Sequence, residues 1–132
     1  KLATAGFDGR VRIWNERGER IGEFRCSEWG VLGVAWHPDG RRLATGDALG
    51  RVYIFDAETC RELATFHLPT RLACYRVAFR PDGRQLAAGG GDGPWEVSET
   101  HRRPGAVCVW DLETSREVLK IDGLSQAVLG LA

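Results

Sequence analysis

One phrase is written three times in this chain. Leu2-Ala-Thr-Ala-Gly-Phe-Asp-Gly-Arg-Val-Arg-Ile-Trp-Asn15 is echoed by Leu43-Ala-Thr-Gly-Asp-Ala-Leu-Gly-Arg-Val-Tyr-Ile-Phe-Asp56. It returns, split by extra residues, as Leu86-Ala-Ala-Gly-Gly-Gly-Asp-Gly93 and Gly105-Ala-Val-Cys-Val-Trp-Asp111. The copies begin at Leu2, Leu43 and Leu86, about 41 to 43 residues apart. Self-similarity at this period marks a modular array, in which a unit needs neighbours to bury its faces. That overrides the single-domain expectation for 132 residues.

Each unit reads as four short strands. Arg20–Phe24 alternates weakly. Val31–Trp36 is strongly apolar, as in a strand buried on both faces. Pro38-Asp39-Gly40 is a turn, with Pro fixing φ and Gly accepting positive φ. Arg42–Gly46 and Arg51–Phe55 complete the set, and Val52 and Ile54 alternate with Tyr53 and Phe55 at period two. The next set is Glu62–Phe66, Cys74–Phe79, the turn Pro81-Asp-Gly83, Gln85–Gly89 and Ala106–Trp110. Glu117–Ile121 and a last strand from Ala127 to Ala132 follow. Ala57–Arg61 and Leu112–Arg116 have the polar make-up of hairpin turns. No window keeps a helical period.

Composition excludes several classes. Lys and Arg number 18, as do Asp and Glu, so formal net charge is zero and a polyanion-binding surface is not expected. No apolar run approaches the length of a membrane span. The four cysteines, 26, 60, 74 and 108, lack C-x-x-C spacing and read as reduced thiols. His37, His67 and His101 lie in different connections, with no H-E-x-x-H and no G-x-S-x-G phrase near them. Gly89-Gly-Gly91-Asp-Gly93 lacks the spacing and the Lys of a phosphate loop. No catalytic residue, cofactor or metal is expected.

These residues resemble the WD-repeat family of β-propellers. The marks are Trp14-Asn15, Phe55-Asp56 and Trp110-Asp111 at the end of the fourth strand. To these add the two Pro-Asp-Gly turns, and Asp8-Gly9 and Asp92-Gly93 after the third strand. The resemblance implies an all-β, WD-repeat β-propeller segment of four-stranded antiparallel blades in an incomplete ring. The expected units are a half blade at 1–15, a blade at 16–56, a blade at 57–111 with an insertion at 92–105, and a half blade at 112–132. Each repeat is expected to supply the outermost strand of one blade and the inner three of the next. The chain reads as an excerpt of a longer protein inside the cell, an arc of a larger ring. Its bare edges also allow two copies to pair.

The family often carries Gly-His ahead of the inner strand, where this chain reads Cys26-Ser27, Pro69-Thr70 and Asp122-Gly123. In the family that His, the turn Asp, a strand Ser or Thr and the Trp form a buried network. Asp8 with Trp14, and Asp92 with Trp110, keep part of it. The middle copy has Leu49-Gly50 and Phe55 instead, so its packing is expected to be apolar and its tight turn less well fixed. Trp14, Trp36, Phe55, Phe79 and Trp110 recur in register and are expected to be packing residues.

The insertion is the most unusual segment, with Trp95, His101, Arg102 and Arg103. An aromatic beside Arg is the composition enriched at interface hot spots. Trp29, in the Cys26–Gly30 connection on the same expected face, is the other candidate contact; the alternative for it is to cover a blade edge. The function expected is a non-catalytic protein–protein interaction scaffold whose partners are proteins or peptides, not nucleic acid or membrane. Two alternatives stand beside it: a regulatory or sensor module fused to a catalytic domain elsewhere, and purely structural blades.

Overall fold

The computed structural model describes residues 1–69, 72–92 and 104–131. Among them the strands are β1 (Leu2–Ala5), β2 (Arg10–Trp14), β3 (Arg20–Arg25), β4 (Val31–Trp36), β5 (Arg42–Asp47) and β6 (Arg51–Asp56). They continue with β7 (Glu62–His67), β8 (Ala73–Phe79), β9 (Gln85–Gly91), β10 (Gly105–Asp111) and β11 (Arg116–Leu124). The described residues contain no helix. Antiparallel pairing of successive strands gives three sheets, β1-β2-β3, β4-β5-β6-β7 and β8-β9-β10-β11. The outermost strands β3, β7 and β11 come from the residues that open the expected units at 16–56, 57–111 and 112–132, so sheets and units are offset by one strand.

The period-two pattern explains how the sheets stack. Tyr53 and Phe55 face the first sheet and join Val11, Ile13, Phe24, Val31 and Leu43 in one buried cluster. Val52 and Ile54 face the third sheet and join Phe66, Cys74, Val77, Leu86, Cys108 and Trp110 in a second. Within the middle sheet β5 and β6 are therefore buried on both faces, which is why β6 is apolar at successive positions. Each such Val, Leu, Ile or Phe contributes about 1.5–3 kcal/mol by leaving water. Backbones approach closely where β4 meets β8: a Cβ on Gly33 would stand 2.9 Å from the Tyr75 carbonyl oxygen.

The residue after each terminal aromatic ends its strand and caps the following turn. Asp56 Oδ1 accepts from the Glu58 and Thr59 amides at 3.0 and 2.7 Å. Asp111 Oδ1 does the same for Glu113 and Thr114 at 3.1 and 2.8 Å. Asn15 Oδ1 accepts from the Arg17 and Glu19 amides at 2.9 and 3.0 Å. A side-chain oxygen that mimics a turn carbonyl is the reason Asp and Asn recur there.

The last strand expected, from Ala127, is not formed among the described residues. Val128 N donates to Gly90 O at 3.2 Å, but no ladder continues from it. The segment lies across the glycines of β9 instead, where a Cβ on Gly91 would meet Ala127 Cα at 2.6 Å.

Candidate functional site

Because the strands alternate in direction, the connections after β1, β3 and β5, and Leu68 after β7, emerge at one end of the sheets. Backbone bonds stitch these loops together. Val31 N donates to Gly6 O at 2.9 Å, Cys26 N to Gly9 O at 3.0 Å, Ala48 N to Gly30 O at 3.1 Å and Leu68 N to Gly50 O at 2.9 Å.

At the centre of this end sits a carboxylate the sequence reading missed. Asp47, the last residue of β5, is fully buried. Its Oδ1 accepts from the Leu49 and Arg51 amides at 3.0 and 2.8 Å. Its Oδ2 accepts from Arg51 Nε and Ser27 Oγ, both at 2.8 Å. Ser27 Oγ in turn accepts from the Trp29 amide at 3.0 Å. An ionised carboxylate costs several kcal/mol to bury, so it persists only with its lone pairs engaged; here four donors engage them. The expectation of a loosely fixed middle turn is therefore corrected. Asp47 fastens the 47–51 turn and ties it to the 26–30 loop. The signal was present in Gly46-Asp47, but strand alternation left Asp47 beyond the expected end of its strand.

The clamp holds up an apolar surface. Trp29 is 58% exposed, Phe7 76% and Leu49 41%. Phe7 lies over Gly30, since a Cβ there would stand 3.0 Å from Phe7 Cδ1. Trp29 and Leu49 share the wall of a shallow concavity of about 310 Å³ with Arg25, Ser27, Glu28 and Arg51. So Trp29 does not cover a blade edge in this structure; it projects into solvent. Trp95, His101, Arg102 and Arg103 lie outside the described residues, and the contact role expected for them stays an expectation.

The equivalent turn of the first sheet is built differently. Asp8 is exposed. It accepts from the Arg10 amide at 3.2 Å and pairs with Arg12 Nη2 at 2.5 Å. The Arg12 hydrogen bond holds the Asp8 carboxyl below the usual range. Trp14, half-buried, donates from Nε1 to Thr4 Oγ1 at 2.9 Å. The Trp and Thr of the expected network thus meet, while Asp8 turns to arginine. Asp92 is half-buried at the end of β9.

The recurring aromatics occupy the sheet interfaces to different depths. Phe55 and Trp110 are buried. Phe55 lies 4.4 Å from Phe24, and Trp110 stacks on Phe66 at 5.1 Å, ring centre to ring centre. Trp36 and Phe79 are half-buried. At the opposite end, buried His37 meets Gly83 O through Nε2 at 2.9 Å, and its ring sits edge-on to Phe79. Beside it, burial pushes the Asp39 carboxyl up, but the Arg41 amide and the Arg42 guanidinium outweigh that and hold it at about 2.

All four cysteines are free. Burial pushes Cys26 up to about 11, and Cys74 and Cys108 up to about 12. Thiols held there carry almost no thiolate near neutral pH, so they are poor nucleophiles. Among the described residues no three His, Cys, Asp or Glu side chains are gathered as a metal would need.

Residues 18–56 match the family model described as WD domain, G-beta repeat. A chain in the solved structure titled "Crystal Structure of Mitotic Checkpoint Complex" is similar over 95% of this chain, at 27% identity and a TM-score of 0.75. This chain spans 36% of the length of that one. No curated protein matches.

Proposed function

We propose that this run of WD-repeat β-propeller blades is a non-catalytic platform for protein partners, and that the loop end carrying Trp29 is its contact face. The observation that carries the reading is Trp29, an exposed indole on a loop pinned from beneath by Ser27 and buried Asp47. A large aromatic held rigid in water loses little conformational entropy on binding, which is why Trp is enriched among residues that dominate interfaces. Phe7 and Leu49 widen the apolar surface around it. The family resemblance supports an interaction role in general, and the similar chain comes from the structure of a complex.

The test is co-purification from native lysate with the parent protein in four forms: unaltered, Trp29→Ala, Arg17→Ala at the opposite end, and with the 94–104 segment shortened to a Gly-Ser turn. Matched thermal melts come first. A partner lost with Trp29→Ala and kept with Arg17→Ala supports the face. Loss confined to the shortened form moves the site to the insertion. Retention in all four forms favours blades that only support a ring.

A further inference from the structure

The concavity beside Trp29 has a charge pattern as well as an apolar wall. Arg51 is held in place by Asp47 at 2.8 Å through Nε, and its guanidinium lies 5.7 Å from the Tyr53 ring centre. Its side chain keeps about a third of its surface in water, so it is a fixed cation at the rim. Arg25 donates through Nε to Ser27 O at 3.4 Å. Among the described residues no carboxylate pairs with Arg25. Arg10, at the position in the first sheet matching Arg51, is likewise paired with a carboxylate, Glu23 at 2.7 Å. Glu28 is the one carboxylate among the residues lining the concavity, and it is exposed at the edge.

We infer that this concavity receives an acidic segment of a partner protein, a carboxylate set beside an apolar side chain. The carboxylate meets the terminal nitrogens of Arg25 and the outer edge of the Arg51 guanidinium. The apolar neighbour lies against Trp29 and Leu49. Guanidinium presents paired donors in a planar fork that matches a carboxylate, and a guanidinium already fixed by its own protein loses less freedom on meeting one. Arg51 has that preorganisation. Arg25 supplies the charge not already neutralised.

This inference rests on the platform reading, and one experiment separates the two. The parent protein is panned against a phage-displayed library of random dodecapeptides, and enriched peptides are synthesised and titrated. The expected result is enrichment of Asp and Glu next to Leu, Ile or Phe. Affinity is expected to fall about tenfold in Arg25→Ala, the loss of one charge-assisted contact, and to fall in Trp29→Ala. Glu28→Gln is expected to tighten the same peptides. Peptides that need Trp29 but are neutral or basic, or that bind Arg25→Ala as well as the unaltered protein, overturn the acidic partner and leave the platform standing. A selection with no peptide that depends on Trp29 overturns both. Arg25→Gln, closer in shape, keeps the result readable if Arg25→Ala melts early.

Discussion

The turns 6–10 and 47–51 come from the same repeated phrase, yet each is closed by a different acid in a different place. In the first, Asp8 sits within the bend between Gly6 and Gly9, lies in water and pairs with Arg12. In the second, Asp47 precedes the bend, is fully buried and serves donors from two loops. The positive-φ glycines Gly9 and Gly50 are common to both, at +75° and +77°. The backbone geometry of the turn is thus carried by glycine, and the acid decides something else. An exposed acid fixes only its own hairpin. A buried one links its hairpin to the neighbouring loop, which here is the loop that presents Trp29.

The largest difference is expected in stability. Asp47→Ala leaves Arg51 and Ser27 without their partner and is expected to cost about 3–5 kcal/mol, the range for breaking a buried charge pair. Asp8→Ala is expected to leave the denaturation midpoint nearly unchanged, because surface ion pairs contribute little. Urea denaturation of the two variants checks this, and equal losses would erase the distinction between the turns.

A smaller effect is expected at Cys26, which neighbours Ser27 and lies close enough to Thr45 for an Oγ1–Sγ contact of 3.8 Å. Burial first, and the Asp47 charge as well, push its thiol up. Asp47→Asn removes that charge and loosens the loop, so both changes speed thiol labelling at Cys26. Cys60, away from the clamp, is the internal reference. Labelling at neutral pH followed by mass spectrometry reads the ratio, and an unchanged ratio would mean that Asp47 does not hold the loop.

The smallest effect concerns acid. The folded carboxyls of Asp8 and Asp39 lie below the ordinary value near 3.9, Asp39 at about 2. Depressed carboxylates stabilise the fold fully above the unfolded value, and that contribution fades as pH falls from about 4 toward the folded values. Carboxyl titration by NMR is expected to place Asp39 below Asp8. In Arg12→Ala the Asp8 midpoint is expected to rise while Asp39 stays put; movement of both would argue against local pairing.

Much of this was legible in the sequence because the repeat imposes it. The alternation of Val52, Tyr53, Ile54 and Phe55 marks β6, and Pro-Asp-Gly marks the turns at 38–40 and 81–83; the two buried faces read for Val31–Trp36 belong instead to β5 and β6. Asp56 and Asp111 stand in the sequence as family marks, and their work as turn caps is visible only in the structure. The candidate face was half legible. Trp29 stood out by its position between strands, but its exposure depends on how three loops meet. Asp47 was hidden for a physical reason: burial of an acid is decided by donors brought from elsewhere in the chain, here Ser27, twenty residues away along the chain. Ser27 itself shows in the sequence only as the residue standing where the family carries His. Ala127–Ala132 reads as a strand in the sequence, yet among its described residues a lone bond to Gly90 does not make one.

The claim on which the rest depends is that Asp47 and Ser27 act as one clamp between two loops. A double-mutant cycle of Asp47→Asn and Ser27→Ala, followed by urea denaturation, measures it directly. The account predicts a coupling of about 1 kcal/mol or more, in the range seen for residues sharing one buried polar network. Additive losses would contradict it, and would leave Trp29 on a loop that the buried carboxylate does not hold.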